Sequence, residues 1–444
     1  MKRIHIIACG GAVMHNIAIA LHLLGNNVSG SDDEIFEPAL SRLKKYDLAP
    51  KTFDWKIENI TADIDFIILG MHARADNPEL KKALDLGIKI YSFPDYVYEH
   101  AKDKKRIVIG GSHGKTSTTA MIMHVLKALN FEFDYLVGSQ LEGFETMVKF
   151  SDAPVMIIEG DEYLTSALDP VPKFLKYKPH YAVLTGISWD HINVFPTFEN
   201  YLLQFQLFVE SINKDGVLAY FEQDEHIVSM LNHAQCKTIG YNTPQYHIRN
   251  NKVILSKDER YELNVFGEHN LQNIEAAKLM CLQIGVAEND FYNAIKSFTG
   301  TAKRLEKVFE SEKLTIFRDF AHSPSKLKAT VDAVRNQYPS HYIFSVYELH
   351  TFSSLKKEFL PHYKNTMQAS DENIVYFNPE VIQHKKLESI LEAEIEKNFG
   401  DKTVAISSSN LLSEKISKFK SNFSSKPCVL LLMSSGNFDN LQLW

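Results

Sequence analysis

The 444-residue sequence is short of cysteine, short of positive charge and free of long apolar runs. Its four cysteines, Cys9, Cys236, Cys281 and Cys428, are scattered, and no two form a CxxC pair. That spacing excludes a structural zinc knot and fits a reducing compartment. The formal net charge of −7 argues against a general binder of nucleic acid or membrane surfaces. An anionic substrate would need a local basic pocket. No stretch approaches the roughly 18 uninterrupted apolar residues of a membrane span. Neither a short internal repeat nor a low-complexity tract is present. The opening MKRIHIIACGGAVMHNIAIALHLLG starts like a leader but breaks at Gly10-Gly11. It then continues as strand, turn and amphipathic helix, so it reads as folded protein. The expectation is a cytoplasmic enzyme with small-molecule substrates, no nucleic-acid or membrane partner, and a monomeric or weakly self-associating chain.

A further absence is local. Ile107–Ile122 reads IVIGGSHGKTSTTAMI, an apolar strand, a Gly-rich turn, Lys-Thr and an apolar helix. The usual phosphate loop has a glycine five residues before its Gly-Lys pair. Here that position is Ile109, so the loop is clipped. It still holds the parts that phosphate binding needs. Gly110, Gly111 and Gly114 let backbone N–H groups approach phosphate oxygens. The helix starting near Lys115 adds its positive end. Lys115 supplies a point charge, and Thr116 stands where a loop hydroxyl holds Mg²⁺.

At 45% apolar and 23% charged residues, the chain has the composition of a globular enzyme of about two to four domains. Strand-turn-helix patterns open at Ile4, Ile107 and Leu314. Strands are expected at Phe66–Leu69, Ile88–Tyr91, Pro154–Gly160 and Tyr181–Ile187, with helices at Pro78–Leu86 and Asn270–Ile284. The alternation gives an α/β class with parallel sheets. Three domains are expected, residues 1–103, 104–301 and 302–444, with the charged run Ala101–Arg106 as a linker.

Five other segments carry candidate chemistry. IIEGDEY ends an apolar strand with Glu159, Asp161 and Glu162, acids suited to Mg²⁺. GISWDHINVF offers His191 as a metal ligand or base. FGEHNLQN places His269, Asn270 and Asn273 on the first turns of one helix. FTGTAKRLE and RDFAHSP supply Arg304, Asp319 and His322, and the Arg fork suits phosphate oxygens.

In order, these segments resemble the Mur ligases, ATP-dependent amide-forming enzymes of peptidoglycan precursor synthesis. The family's GxxGKT/S loop is matched by Gly111 to Thr116, and its acidic element by Glu159 to Glu162. Its DH pair is matched by Asp190-His191, and its GxHNxxN element by Gly267, His269, Asn270 and Asn273. Its DxAHxP element is matched by Asp319, Ala321, His322 and Pro324. The likeness spans essentially the whole chain.

The resemblance implies a Rossmann-like UDP-sugar domain, a central P-loop ATPase-like domain and a C-terminal Rossmann-like amine-substrate domain. It implies ATP and Mg²⁺ as cofactors. Lys115, Glu162 and His191 would be catalytic, and Thr116, Glu162 and His191 would hold metal. Gly111, Ser112, His113, Gly114, Lys115, Thr116, Ser117, His269, Asn270, Asn273, Arg304 and Asp319 would meet ATP. Gly11, Met14, Ser31 and Asp32 would meet the UDP-sugar, and His322, His350 and Ser353 the amine substrate.

Within the family, Ala8–Met14 with VSGSD (Val28–Asp32) resembles the branch that takes UDP-N-acetylmuramate itself. SVYELHTFSSL (Ser345–Leu355) and LLMSSGNFD (Leu431–Asp439) look like the murein peptide ligases of peptidoglycan recycling. The alanine-adding branch has a QPHRYTR-type segment where this chain has ELHTFSS. The expected reaction therefore joins UDP-N-acetylmuramate to L-alanyl-γ-D-glutamyl-meso-diaminopimelate through an acyl phosphate, with L-alanine as the alternative acceptor. A silent nucleotide-sugar sensor and a folylpolyglutamate synthase-like ligase share parts of the pattern. The chain departs from the family at Gly186, where a TN pair is usual. It has no lysine between Ile192 and Asn213 to carbamylate. His350 stands where tripeptide ligases carry Arg, and Ala8 replaces the first glycine of the N-terminal loop.

Overall fold

The computed structural model describes the chain except residues 167, 190–193, 258–260, 422–425 and 443–444. The chain forms two compact units. One comprises Met1–Asn242 and Asn273–Ile295, the other Thr243–Gln272 and Lys296–Trp444.

The first unit opens with a parallel sheet of β1 (Arg3–Ile7), β2 (Asn27–Ser31), β3 (Phe66–Leu69) and β4 (Lys89–Ser92), in the order β2-β1-β3-β4. Ile4, Ile6, Ile7, Ile67 and Ile68 are buried on both faces. Continuous apolar strands of this kind need helices on both sides. One such helix, Pro78–Asp85, is started by Asn77, whose side chain accepts from the backbone N–H of Glu79 and Leu80 at 2.9 and 3.0 Å. Pro78 takes the first helical position, where its missing N–H costs nothing.

The second sheet of this unit contains β5 (Lys105–Gly110), β6 (Asp134–Leu136), β7 (Val148–Lys149), β8 (Val155–Glu159), β9 (Tyr181–Leu184), β10 (Val217–Phe221) and β11 (Lys237–Tyr241). Their order is β11-β10-β9-β5-β8-β6-β7, with only the β6–β7 pair antiparallel. The chain leaves β5 toward one edge and later returns to build β9 to β11 on the other. That reversal opens a crevice at the carboxyl end of β5, where ligands of α/β sheets bind.

The charged run expected to be a linker is not one. The helix Phe93–Ala101 ends and β5 begins at Lys105, leaving only Lys102–Lys104 between them. Arg106 is buried, and its guanidinium donates to the carbonyls of Ala101, Lys102, Lys104, Tyr177 and Lys178 at 2.8–3.1 Å. Its fork makes this charged stretch a fastened joint. Apolar side chains from both sheets merge in one core, which includes Ile6, Val97, Phe150, Val108 and Phe174. There Phe174 stacks on Phe208 at 4.6 Å.

The second unit holds a small antiparallel sheet of β12 (Tyr246–Arg249), β13 (Lys252–Leu255) and β14 (Glu262–Leu263). Its larger sheet contains β15 (Glu306–Glu310), β16 (Leu314–Asp319), β17 (Tyr342–Leu349), β18 (Glu372–Phe377), β19 (Thr403–Ile406) and β20 (Cys428–Met433). The order is β15-β16-β20-β17-β18-β19, parallel from β16 onward. All four cysteines are free thiols, and three are buried.

The alanine that replaces an expected glycine sits in glycine's conformation. Ala8 has φ 63°, and its carbonyl oxygen and Cβ closely face Gly70. Left-handed backbone costs a non-glycine residue about 1–2 kcal/mol, against a glycine entropy cost of about 0.5–1 kcal/mol. Ala8→Gly should therefore stabilise the fold by about 0.5–1 kcal/mol, read as a higher denaturant midpoint at unchanged slope.

Candidate active site

The site begins with the four residues between β5 and the helix Lys115–Ala128. Ile109, which stands where a glycine was looked for, is fully buried within β5 and paired with β8 and β9. The strand simply runs further before turning, and this shortens the loop. The turn is then hemmed in from β9. Ser112 N–H donates to the Gly186 carbonyl at 2.8 Å, and Thr185 N–H donates to the Gly110 carbonyl at 3.1 Å. The Thr185 hydroxyl donates to the His113 carbonyl. Gly111 has φ 127°, and a Cβ there would collide with the Thr185 hydroxyl. Gly114 has φ 79°, and a Cβ there would lie 2.5 Å from Asn273 Oδ1. Both glycines are therefore required twice over, by backbone angle and by space. Gly186 itself has φ 145°, so the departure from the family's TN pair is a backbone position that glycine suits.

Charges meet at this turn. Lys115 Nζ donates to Glu162 Oε2 at 2.7 Å and to the Gly111 carbonyl at 2.5 Å. Burial disfavours the ammonium, but Glu162 and then Asp161 outweigh it and hold the Lys115 pKa above its ordinary value. Asp161 is paired with Lys173 at 2.7 Å; burial raises its pKa, but Lys173 and Lys115 bring it below the usual carboxylate range. Thr116 does not meet Glu162, the acid expected beside it. Its hydroxyl donates to Glu159 Oε1 at 2.7 Å, and Gly138 N–H donates to Glu159 Oε2 at 2.8 Å. The reason is strand position. Glu159 ends β8 next to β5, whereas Glu162 lies three residues on, under Lys115. Asp190 and His191 lie outside the described residues. Among the described residues no three His, Cys, Asp or Glu side chains are grouped to hold a metal ion. Ser117 is buried in the first helical turn, and Asn273 Oδ1 accepts from the Thr118 hydroxyl at 3.2 Å.

The N-terminal candidates gather at the carboxyl ends of β1 and β2. The Gly11 carbonyl accepts from His15 N–H at 3.1 Å, and Met14 is buried. Ser31 turns inward, donating to the buried Glu79, which also takes Asn59 and Lys56 N–H at 2.7 and 3.0 Å. Asp32 accepts from Gly10 N–H at 2.7 Å and Asp33 N–H at 3.0 Å. Burial nonetheless pushes its pKa up to about 6.

The second unit assembles the other candidates. Asp319 is fully used as a brace: its carboxylate accepts from Leu305 N–H, Ala321 N–H and the Thr330 hydroxyl at 2.7, 2.8 and 3.1 Å. It thereby fixes both the loop bearing Arg304 and the loop bearing His322. The Arg304 guanidinium lies 5.1 Å over the Phe320 ring. Burial lowers the His269 pKa; Asp319 opposes this and Arg304 adds to it. The Asn270 side-chain amide donates to the Phe266 carbonyl at 2.9 Å. His322 Nδ1 faces the Phe320 carbonyl at 2.8 Å and Nε2 faces Lys326 Nζ at 3.2 Å, which assigns the proton to Nδ1.

The two segments flagged as acceptor signatures meet at Glu348. This buried carboxylate accepts from the Ser434 hydroxyl and from Phe438 N–H at 3.0 Å, and His350 Nδ1 lies 3.6 Å away. Burial raises its pKa, but the His350 and Ser434 hydrogen bonds and Phe438 N–H bring it below the ordinary value. Ser353 sits on the following bend, its carbonyl accepting from Lys356 N–H at 3.1 Å. Beside this cluster a cavity of about 190 Å³ is lined by Arg318, Asp319, Ser434, Gly436, Asn437 and Phe438. Sequence reasoning missed Glu348 and Ser434. Their signal is spatial, since each partner is distant along the chain.

Comparison with known proteins adds to this geometry. Residues 3–105 match the description "Mur ligase family, catalytic domain", and residues 109–281 match "Mur ligase middle domain". A UDP-N-acetylmuramate–L-alanine ligase of Clostridium botulinum is 32% identical over 368 residues, 79% of this chain and 78% of that one. The solved UDP-N-acetylmuramate–alanine ligase of Thermotoga maritima has a TM-score of 0.69 at 21% identity, covering 99% of this chain and 97% of that one. A murein peptide ligase of Psychrobacter arcticus has a TM-score of 0.63 at 20% identity, covering 100% and 97%.

These relatives overturn the tripeptide reading. The 32% identical relative is an L-alanine ligase, while the likeness to the murein peptide ligase is one of fold. The misreading came from likening Ser345–Leu355 and Leu431–Asp439 to the murein peptide ligases by their overall look. His350 and Phe352 keep the offsets of the His and Tyr in QPHRYTR.

Asp32 provides a test of the N-terminal site. Its folded pKa of about 6 lies above the 3.8 of the free carboxyl. Its contribution to stability is complete below the lower value and is lost as pH rises through the higher one. Asp32→Asn keeps an acceptor for Gly10 N–H and cannot ionise. Its Tm should match wild type near pH 3.5 and exceed it at pH 7.5, a comparison that a pH series of thermal melts provides.

Proposed function

We propose that this chain, which belongs to the Mur ligase family, joins the lactyl carboxylate of UDP-N-acetylmuramate to the amine of L-alanine. The chain is an ATP-dependent, ADP-forming ligase of peptidoglycan synthesis. The acceptor assignment is carried by the 32% identity to a relative named for L-alanine. Residues 1–103 would carry the UDP-sugar, 104–301 the ATP and 302–444 the amine.

The chemistry needs positioning and charge neutralisation more than covalent help from the protein. The lactyl carboxylate attacks the γ-phosphorus of ATP, ADP leaves, and an acyl phosphate forms. The neutral amine then attacks the acyl carbon, loses a proton, and expels phosphate. Lys115, kept charged by its acidic neighbours, would exchange Glu162 for γ-phosphate oxygens. The glycine turn would present N–H groups to the same phosphates. Thr116 and Glu159, hard oxygen donors 2.7 Å apart at the loop, suit Mg²⁺, which keeps several waters and would neutralise phosphate charge. Asp319 would act by holding the loop of Arg304, through the hydrogen bonds its carboxylate accepts there.

Two measurements test this reading. Phosphate release with ATP and UDP-N-acetylmuramate should require L-alanine, and turnover with the tripeptide alone would refute it. Glu159→Gln should raise the Mg²⁺ concentration for half-maximal rate by about 10-fold, the scale of losing one ligand interaction. An unchanged Mg²⁺ requirement would remove Glu159 from the metal site.

A further inference from the structure

Tyr201 is fully buried on the helix Phe198–Glu210, packed against Phe195 and Phe205. Aromatic packing accounts for its ring. Its hydroxyl is placed differently, reaching both the nucleotide loop and one of its acids. It donates to Glu162 Oε1 at 3.1 Å and lies 2.9 Å from Ser112 Oγ. Ser112 Oγ in turn accepts from Ser188 N–H at 2.9 Å.

The donors and acceptors assign a single direction along this chain. A hydroxyl has one proton to give, and an ionised carboxylate only accepts. Ser188 N–H therefore donates to Ser112, Ser112 to Tyr201, and Tyr201 to Glu162. Glu162 also takes the Lys115 ammonium, on its other oxygen. Hydrogen bonds to a charged acceptor are the strong ones. The Tyr201 proton thus shares Glu162 with Lys115. It limits how firmly that carboxylate holds the lysine, and it ties the carboxylate to the loop backbone.

We propose that Tyr201 is a positioning residue for ATP use. By holding Glu162 and Ser112 together, it keeps Lys115 aimed across the phosphate loop and able to leave Glu162 as charge develops on the γ-phosphoryl group. Without the hydroxyl, Glu162 has one donor fewer and grips Lys115 more tightly. The penalty then falls where the lysine must move, in the chemical step, rather than on nucleotide affinity. The proposal rests on ATP activation of a carboxylate by this chain and not on which amine follows.

The test is Tyr201→Phe, which keeps the ring. Acyl phosphate formation is read as hydroxamate from ATP, UDP-N-acetylmuramate and hydroxylamine, so no amine acceptor enters the assay. The hydroxamate rate should fall at least about 10-fold, on the scale of small misplacements in an active site. Affinity for a non-hydrolysable ATP analogue should change less than about 3-fold, and Tm should be unchanged. Ser112→Ala, which removes the other hydroxyl, should lower the rate in the same way. The double variant should be no worse than the poorer single, as for residues acting as one unit. A wild-type rate in Tyr201→Phe would overturn the proposal. So would parallel losses of rate, ATP affinity and Tm in both single variants, which a purely structural role gives. Should Tyr201→Phe fail to fold, Ser112→Ala decides by the same criteria. A wild-type enzyme that forms hydroxamate but ignores L-alanine would sink the acceptor assignment and leave this inference standing.

Discussion

The nucleotide end of this protein depends on a close approach between backbones. The turn after β5 runs against Thr185 and Gly186 at the end of β9, so closely that a single Cβ at Gly111 would strike the Thr185 hydroxyl. A side chain there would push the loop off its wall, and Ser112 N–H would lose the Gly186 carbonyl. The loop is short because β5 runs on through Ile109, and it turns against that wall. The cradle is completed by a neighbouring strand instead of by extra residues of its own. The same wall aims Lys115, because its helix starts from the left-handed Gly114 held beside Asn273.

Charge then divides the acids into two roles. Lys115 and Glu162 form a pair with side chains only 14% and 1% exposed. Breaking such a pair by removing one partner costs about 3–5 kcal/mol, because the survivor is left buried without its counter-charge. Glu162 is thus bound to the lysine, and Tyr201 and Ser112 are recruited to it. Glu159, one strand end earlier, is left to Thr116. In the second unit the carboxylate of Asp319 is spent on three donors, and Arg304 and His322 are placed as a result.

Much of this was legible in the sequence, for local reasons. Apolar runs located β1, β5, β8 and β16 within a residue or two and β9 within three, because strand and turn propensities act over a few residues. The helix read as Asn270–Ile284 is observed at Glu268–Gln283. The relatives overturned the acceptor reading, and distant partners altered two others. The run Ala101–Arg106 looks like a linker by composition, but five backbone carbonyls receive Arg106. Glu162, expected with Thr116 at the metal, is found on Lys115, while Thr116 donates to Glu159. The acceptor segment was likened to the tripeptide ligases, although its histidine and aromatic positions match the alanine-adding type.

The sequence by itself determined the α/β class, the place of the glycine turn after β5 and the family. Glycine placement, strand periodicity and ordered motifs are short-range or linear properties. Only the tertiary structure decided which acid meets which cation, that Ala8 occupies a left-handed conformation, and that Tyr201 reaches the loop at all. The pairing at the loop depends on β8 and β9 flanking β5, and Ala8 on the close approach of Gly70 after β3. Strand order is settled by packing of the whole sheet, and it brings together residues 40 to 90 positions apart, such as Thr116 with Glu159 and Ser112 with Tyr201.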